Sequence, residues 1–247
     1  MRESSNKQIK KKLRNALIYL HIDLSKNLKY DRLTRLIMKK TLKENSNCID
    51  IGAHKGEILD DILTFSPQGQ HYAFEPIPYL YNNLKANYSP RVKVYPYALA
   101  EREGVSTFQV VENAPAYSGI KQRNYDDIKK PRIKEITVAT NTLDGTIGQD
   151  VKIDFIKIDI EGGEYHALLG GKDMLIKNKP TIIFECGNGA SEQYGTDYHG
   201  IYDYLTEEIG LKIYTLSAFI KKQKPLSKVT FAAFYITGDE YYFVASK

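Results

Sequence analysis

From Asn47 onward the chain alternates short apolar runs with polar stretches of helical period, and this alternation narrows the fold more than any other feature. Candidate strands lie at 47–51, 71–75, 92–99, 154–160, 181–186 and 212–216, with helical stretches at 57–64, 77–87 and 199–209 as crossovers. Strands joined through helices run parallel, so the expectation is an α/β domain on a parallel sheet. The tail "FAAFYITGDEYYFVAS" has two β-rich runs around a Gly-Asp turn and reads as a hairpin that adds an antiparallel strand. Segment 104–142 exceeds a normal crossover, and insertions of that kind commonly build substrate sites.

The 247 residues, 42% of them hydrophobic, suit one large domain or two small ones. No apolar run reaches the roughly 18 residues of a spanning helix, and the N-terminus lacks a signal-peptide core, so a cytoplasmic protein is expected. Cys48 and Cys186 are far apart, without a CxxC or His-rich companion, and read as reduced core residues. Residues 1–43 hold 13 Lys or Arg against Glu3, Asp23 and Asp31, a net of +10 that leaves −5 for the rest. Ile9, Leu13, Leu17, Leu20 and Leu24 recur there at helical spacing. The division expected is a basic helical extension over 1–45 and a catalytic domain over 46–247. Such an extension docks on the domain with its lysines solvated, or else meets a partner or the anionic inner face of a membrane.

Chemistry concentrates at the ends of the candidate strands. "CIDIGAHKGEILD" carries Asp50-x-Gly52-x-x-x-Gly56 rather than GxGxxG. Glycines at 52 and 56 let backbone approach a ligand, while Asp50 suits one with an amino group, as S-adenosylmethionine (SAM) has. "YAFEP" ends the next strand in Glu75 before the abrupt Pro76, where an acidic side chain accepts hydrogen bonds from the ribose of an adenosine cofactor. In "PYALAERE", Ala98 and Leu99 are placed to wall an adenine.

In "DFIKIDIEGGEYHALLG", alternation puts Lys157, Asp159 and Glu161 on one side and Ile156, Ile158 and Ile160 on the other. A lysine within a buried strand calls for a carboxylate partner. "FECGNG" brings Glu185 to the same rim, so three carboxylates crowd one crevice, which raises at least one pKa or demands a cation. His54, His166 and His199 lie nearest these motifs and read as ordinary polar residues.

Together "CIDIGAHKG", "FEPIP", "TLDG", "DFIKIDIEGGEYHALLGG" and "PTIIFECG", in this order, resemble the FkbM-type methyltransferases over roughly residues 45–217. The resemblance implies a Rossmann-like seven-stranded class I methyltransferase fold, a mostly parallel sheet with an antiparallel C-terminal hairpin. It also implies SAM as cofactor and methyl transfer to a hydroxyl, in several members that of a sugar in a surface glycan or glycoconjugate. By position, Asp50, Gly52, His54 and Gly56 fall in the SAM loop, Glu75 at the ribose, and Asp159 with Glu161 in the signature acidic segment. His54 stands where asparagine is common.

The mechanism expected has Asp159 or Glu161 accepting the hydroxyl proton, Glu185 orienting the acceptor and Lys157 tuning the carboxylates. A divalent metal held by Asp159 and Glu185 is the variant. A rival reading, an NAD(P)-dependent nucleotide-sugar dehydrogenase or epimerase, lacks its GxGxxG and Tyr-x-x-x-Lys. A non-sugar small molecule is the other acceptor class. Nucleic acid is not expected, since no Pro-Pro-aromatic tetrapeptide occurs.

Overall fold

The structure is a computed structural model that describes residues 25–123, 125, 128–148 and 150–247. The apolar stripe from Ile9 to Leu24 lies outside the described residues. Seven strands form one sheet in the order β3-β2-β1-β7-β8-β10-β9: β1 Cys48–Ile51, β2 His71–Phe74, β3 Val92–Tyr95, β7 Phe155–Ile158, β8 Thr181–Glu185, β9 Lys212–Thr215 and β10 Tyr242–Ser246. Strands β3, β2, β1, β7 and β8 run parallel, and β1, β2 and β7 are buried at every position, which is why they read as continuous apolar runs. β10 is antiparallel to both neighbours, β8 and β9.

The antiparallel C-terminal pair is therefore present, but its arms are β9 and β10. The run expected to form the hairpin's first strand is instead a helix, Lys228–Thr237. Ser227 caps it by accepting from Thr230 N, Phe231 and Tyr235 bury one face at i, i+4 spacing, and Gly238 closes it at φ +68.

The expected strand 92–99 also divides. Pro96, with no N–H to donate, separates β3 from β4 (Tyr97–Leu99), which leaves the main sheet. β4 pairs parallel with β6 (Ile133–Asn141), and β6 pairs antiparallel with β5 (Gly104–Val111). The long insertion is thus a small second sheet, sealed by Ile77, Leu80, Ala98, Phe108, Val110 and Val138.

Helix α1 (Lys26–Thr41) starts at Ser25, whose side chain accepts from Leu28 N. Its Tyr30, Leu33, Thr34, Ile37 and Met38 are buried, the i, i+3, i+4, i+7 spacing of an amphipathic face. Through them α1 shares a core with Leu59 and Ile62 of α2 (Glu57–Phe65) and with Ile183 and Val244 of the sheet. The expected crossovers are present as α2, as α3 (Pro78–Tyr88) and as a helix at Tyr198–Asp203 that continues into a π-helical turn at Tyr204–Glu208. Among the described residues no helix is long and apolar enough to cross a membrane.

Candidate active site

The sheet's connections lead away in opposite directions from β1 and β7, so the crevice at their C-terminal ends is where an open α/β sheet receives ligands. The loop after β1 is pinned there by backbone. Gly52 N and Ala53 N both donate to Phe74 O at 3.0 and 3.1 Å. His54 N and Ile77 N donate to the two oxygens of Glu75, each at 2.9 Å. Glu75 therefore fastens the loop as well as facing the crevice, and each oxygen keeps a further lone pair. Gly52 sits at φ +81 with its missing Cβ directed at the Asp159 carbonyl, so any side chain there would clash with β7's exit.

Two cavities open beside this loop. The first, about 460 Å³, is lined by Glu75, Pro76, Ala98, Leu99 and His166 among others; the second, about 730 Å³, holds the acidic cluster. Gly52, His54, Ala116 and Asp159 line both, so the cavities adjoin at these four residues.

The acidic cluster is tightly organised. Lys157, opposite Asp50 in the β1–β7 register, is 5% exposed and donates to Asp159 Oδ2 at 3.1 Å. Tyr242 donates to the same oxygen at 2.5 Å, and Lys157 Nζ lies 4.7 Å from the Tyr242 ring centre. Burial by itself would raise Asp159, but Lys157, Tyr242 and Glu185 together hold it below the ordinary carboxylate range. Burial and the adjacent Asp159 push Glu185 well above its ordinary value, so the pair shares a proton. Glu161, in the left-handed region at φ +60, is ion-paired with Arg123, whose guanidinium lies 5.1 Å from the Tyr117 ring centre.

Of the buried polar atoms at the crevice without a hydrogen-bond partner among the described residues, two face the loop after β1. Asp50 Oδ2 is one, on a carboxyl that burial pushes up to about 7. His54 Nε2 is the other, on an imidazole that burial and Lys55 keep neutral at pH 7.

Every candidate cofactor, catalytic and histidine residue of the motifs thus lies at this crevice except His199, which lies against Tyr198 at 4.2 Å and lines neither cavity, and Gly56, whose φ of +86 starts α2. Three contributors had no sequence signal that pointed here. Tyr242 reaches Glu185 through the β8–β10 register, and Arg123 comes from an aperiodic stretch of the insertion. Asn27, Tyr30, Asp31 and Thr34 come from α1, which is fastened to the 238–241 segment by Tyr30 Oη to Glu240 at 2.6 Å and Lys26 Nζ to Gly238 O at 2.8 Å. Glu164, the second acid of "IEGGE", was legible but passed over; it accepts from Ile160 N at 2.9 Å and shapes the acidic turn.

The proposed metal ligands Asp159 and Glu185 lie with Glu161 so that one oxygen from each falls within 4.8 Å of the others. Each is already compensated, Asp159 by Lys157, Glu161 by Arg123 and Glu185 by the shared proton. A divalent ion would have to displace these partners, so the donor set does not fit one.

Comparison with known proteins gives the relatives of this architecture. The Methyltransferase FkbM domain family matches residues 50–212. The 2-O-methyltransferase NoeI of Sinorhizobium fredii is 25% identical over 166 residues, covering 60% of this chain and 66% of NoeI. The AMB antimetabolite synthetase AmbE of Pseudomonas aeruginosa is 26% identical over 172 residues, 56% of this chain and 8% of AmbE. Among solved structures, the methyltransferase FkbM from Methylobacillus flagellatus aligns with a TM-score of 0.50 at 16% identity, covering 83% of this chain and 44% of that one, a likeness of fold. The chain thus spans less than two thirds of each of these relatives' own length.

Proposed function

The chain belongs to the FkbM methyltransferase family, and from that premise we propose that it transfers a methyl group from SAM to a hydroxyl of a sugar. The observation that carries this reading is the meeting of the two cavities at Gly52, His54 and Asp159, where a donor in the first would face an acceptor in the second. The chemistry SAM supplies is an electrophilic methyl: the acceptor oxygen forms the new C–O bond as the C–S bond breaks and its electron pair passes to sulfur.

The residues divide along the same line. In the first cavity Pro76, Ala98 and Leu99 offer apolar walls to an adenine, and Glu75 directs its free lone pairs at a ribose. Where the cavities adjoin, the orphan Asp50 Oδ2, on the second cavity's side, is the acceptor available to the ammonium, and His54 Nε2 the polar atom available at the reacting end. Gly52 keeps that floor free of side chains. In the second cavity Asp159 accepts the hydroxyl proton, Glu185 orients the acceptor, and Lys157 with Tyr242 keeps Asp159 ionised beforehand. Alignment of this kind contributes on the order of 7–11 kcal/mol, and a positioned base a further 10²- to 10⁴-fold, roughly. The rim tyrosines Tyr30, Tyr117 and Tyr241 suit the apolar faces of a sugar ring.

The test is a screen of sugars and glycan fragments with labelled SAM, read by product mass. Gain of one methyl on a sugar is the expected result; methylation confined to protein or nucleic acid overturns the reading.

A further inference from the structure

The helix at Lys228–Thr237 is apolar on more sides than its packing uses. Phe231 and Tyr235 bury its inner side. Val229 and Ile236, two turns and about 10 Å apart, lie on the opposite side at 79% and 62% exposure, with the exposed Ala233 between them. The helix has one charged residue, Lys228 in its first turn, which pairs with Asp203 at 2.6 Å and has Glu207 nearby. An apolar outer side of this kind calls for a cover.

The charges around it say which cover. The connection into the helix runs along the edge strand β9, where Leu226 N donates to Ile213 O at 2.7 Å, and it carries Lys221, Lys222 and Lys224, all exposed. Lys39 and Lys40 end α1 beside it, Lys40 Nζ donating to Ile220 O at 3.3 Å. None of these five lysines forms an ion pair among the described residues. At the other end of the helix Lys26 Nζ donates to Gly238 O at 2.8 Å and Lys29 holds Glu240 at 3.1 Å, while Asp239 accepts from Thr237 Oγ1 at 2.9 Å. An acidic protein surface would answer the lysines and leave Val229 and Ile236 against polar groups. An anionic bilayer answers both, with headgroups for the lysines and the edge of its acyl layer for the apolar side chains.

We propose that this edge of the molecule, the helix side with Val229, Ala233 and Ile236 together with the lysines of 221–224 and of the end of α1, docks on an anionic bilayer surface. The docking face is built chiefly by residues 221–236, far in sequence from the basic stretch before Ser25. Ile236, Thr237 and Gly238 also line the second cavity, so docking brings the rim of that cavity to the headgroup layer. Docking of this kind is independent of which acceptor the cavity takes.

The experiment sediments the full chain with vesicles of phosphatidylcholine alone and with vesicles of equal parts phosphatidylcholine and phosphatidylserine. Binding to the mixed vesicles only, weakened by salt, is expected. Lys221→Gln, Lys222→Gln and Lys224→Gln together should lower the partition coefficient by on the order of 100-fold, since each lysine near such a surface strengthens it about fivefold. Val229→Ser with Ile236→Ser should lower it by about tenfold. The two variants change different exposed side chains, so each stands if the other folds poorly. Wild-type binding by both would assign it to the stretch before Ser25 and overturn the proposal. Equal binding to both kinds of vesicle, or binding to neither, overturns it as well. So does a dimer in light scattering that Val229→Ser with Ile236→Ser splits, because a second copy would then be the cover.

Discussion

Asp159 keeps its charge in a half-buried crevice because three neighbours offset what burial takes away: the Lys157 ammonium, the Tyr242 hydroxyl and the Glu185 carboxyl. If it takes the acceptor's proton, Asp159→Asn should lower kcat by about 10²- to 10⁴-fold with little change in cofactor affinity, measured by single turnover and calorimetry. Tyr242→Phe removes one of the groups that hold the pKa down. The acid limb of the pH–kcat/KM profile, which needs Asp159 ionised, should then move to higher pH; an unmoved limb would mean that another group is titrating. The compensation within this cluster also bears on metals, since full activity is expected after dialysis against EDTA, and recovery only on adding Mg²⁺ would show that Arg123 or Lys157 yields its place. Glu164 shows the opposite balance. Buried at 2% exposure, it is pushed up to about 7 against 4.5 when unperturbed, even though backbone amides, those of Ile160 and Gly162 among them, favour its charged form. Folding therefore takes up a proton between these values, and the stability present below about 4.5 is lost as the pH rises through 7. Glu164→Gln should gain on the wild type by on the order of 1–3 kcal/mol between pH 5 and pH 8 in urea unfolding, and a gap that does not vary with pH would contradict the buried proton.

At the scale of elements, α1 is part of the domain's core, not an appendage. Ile37 and Met38 are fully buried against the sheet and α2, and Tyr30 holds Glu240 beside the second cavity. Ile37→Ala is expected to cost about 2–5 kcal/mol and to raise KM for the acceptor more than for SAM, because α1 lines only the second cavity; an equal loss for both substrates would argue against that placement. The parallel strands were legible in the sequence because both of their faces are buried, leaving apolar runs such as "CIDI" and "DFIKI". With the strands come the acids at their ends: the alternation puts Asp159, Glu161 and Glu185 on one rim, and the strand ends carry Asp50 and Glu75 as cofactor residues. What escaped was non-local or ambiguous. "FAAFYIT" is apolar and aromatic enough for either a strand or a short helix, and the decision lay with the Ser227 cap and with Phe231 and Tyr235 packing on one face. Tyr242 became a site residue only through its register opposite Glu185, and Arg123 only through the path of the insertion, neither of which periodicity encodes.

For the whole molecule, the strand order places β1 beside β7, so the ligand crevice sits over the centre of the sheet, where cofactor binding couples to global stability. At a SAM concentration of about 100 times Kd the linkage contributes about 2.7 kcal/mol, or about 5–10 °C in Tm for a domain of this size. NAD should give no shift. The size of the shift should also depend on pH, through the two carboxyls at the crevice that burial raises to about 7, Asp50 and Glu75. In the empty site each holds its proton up to that pH. An ammonium at Asp50 Oδ2 requires the ionised form, so binding below pH 7 must expel a proton and is weaker for it. The Tm shift should therefore be larger at pH 8 than at pH 6, and Asp50→Asn should reduce the shift and flatten its dependence on pH. A wild-type shift equal at both pH values would mean that Asp50 does not face the cofactor's amine, and the orphan oxygen would then need another partner.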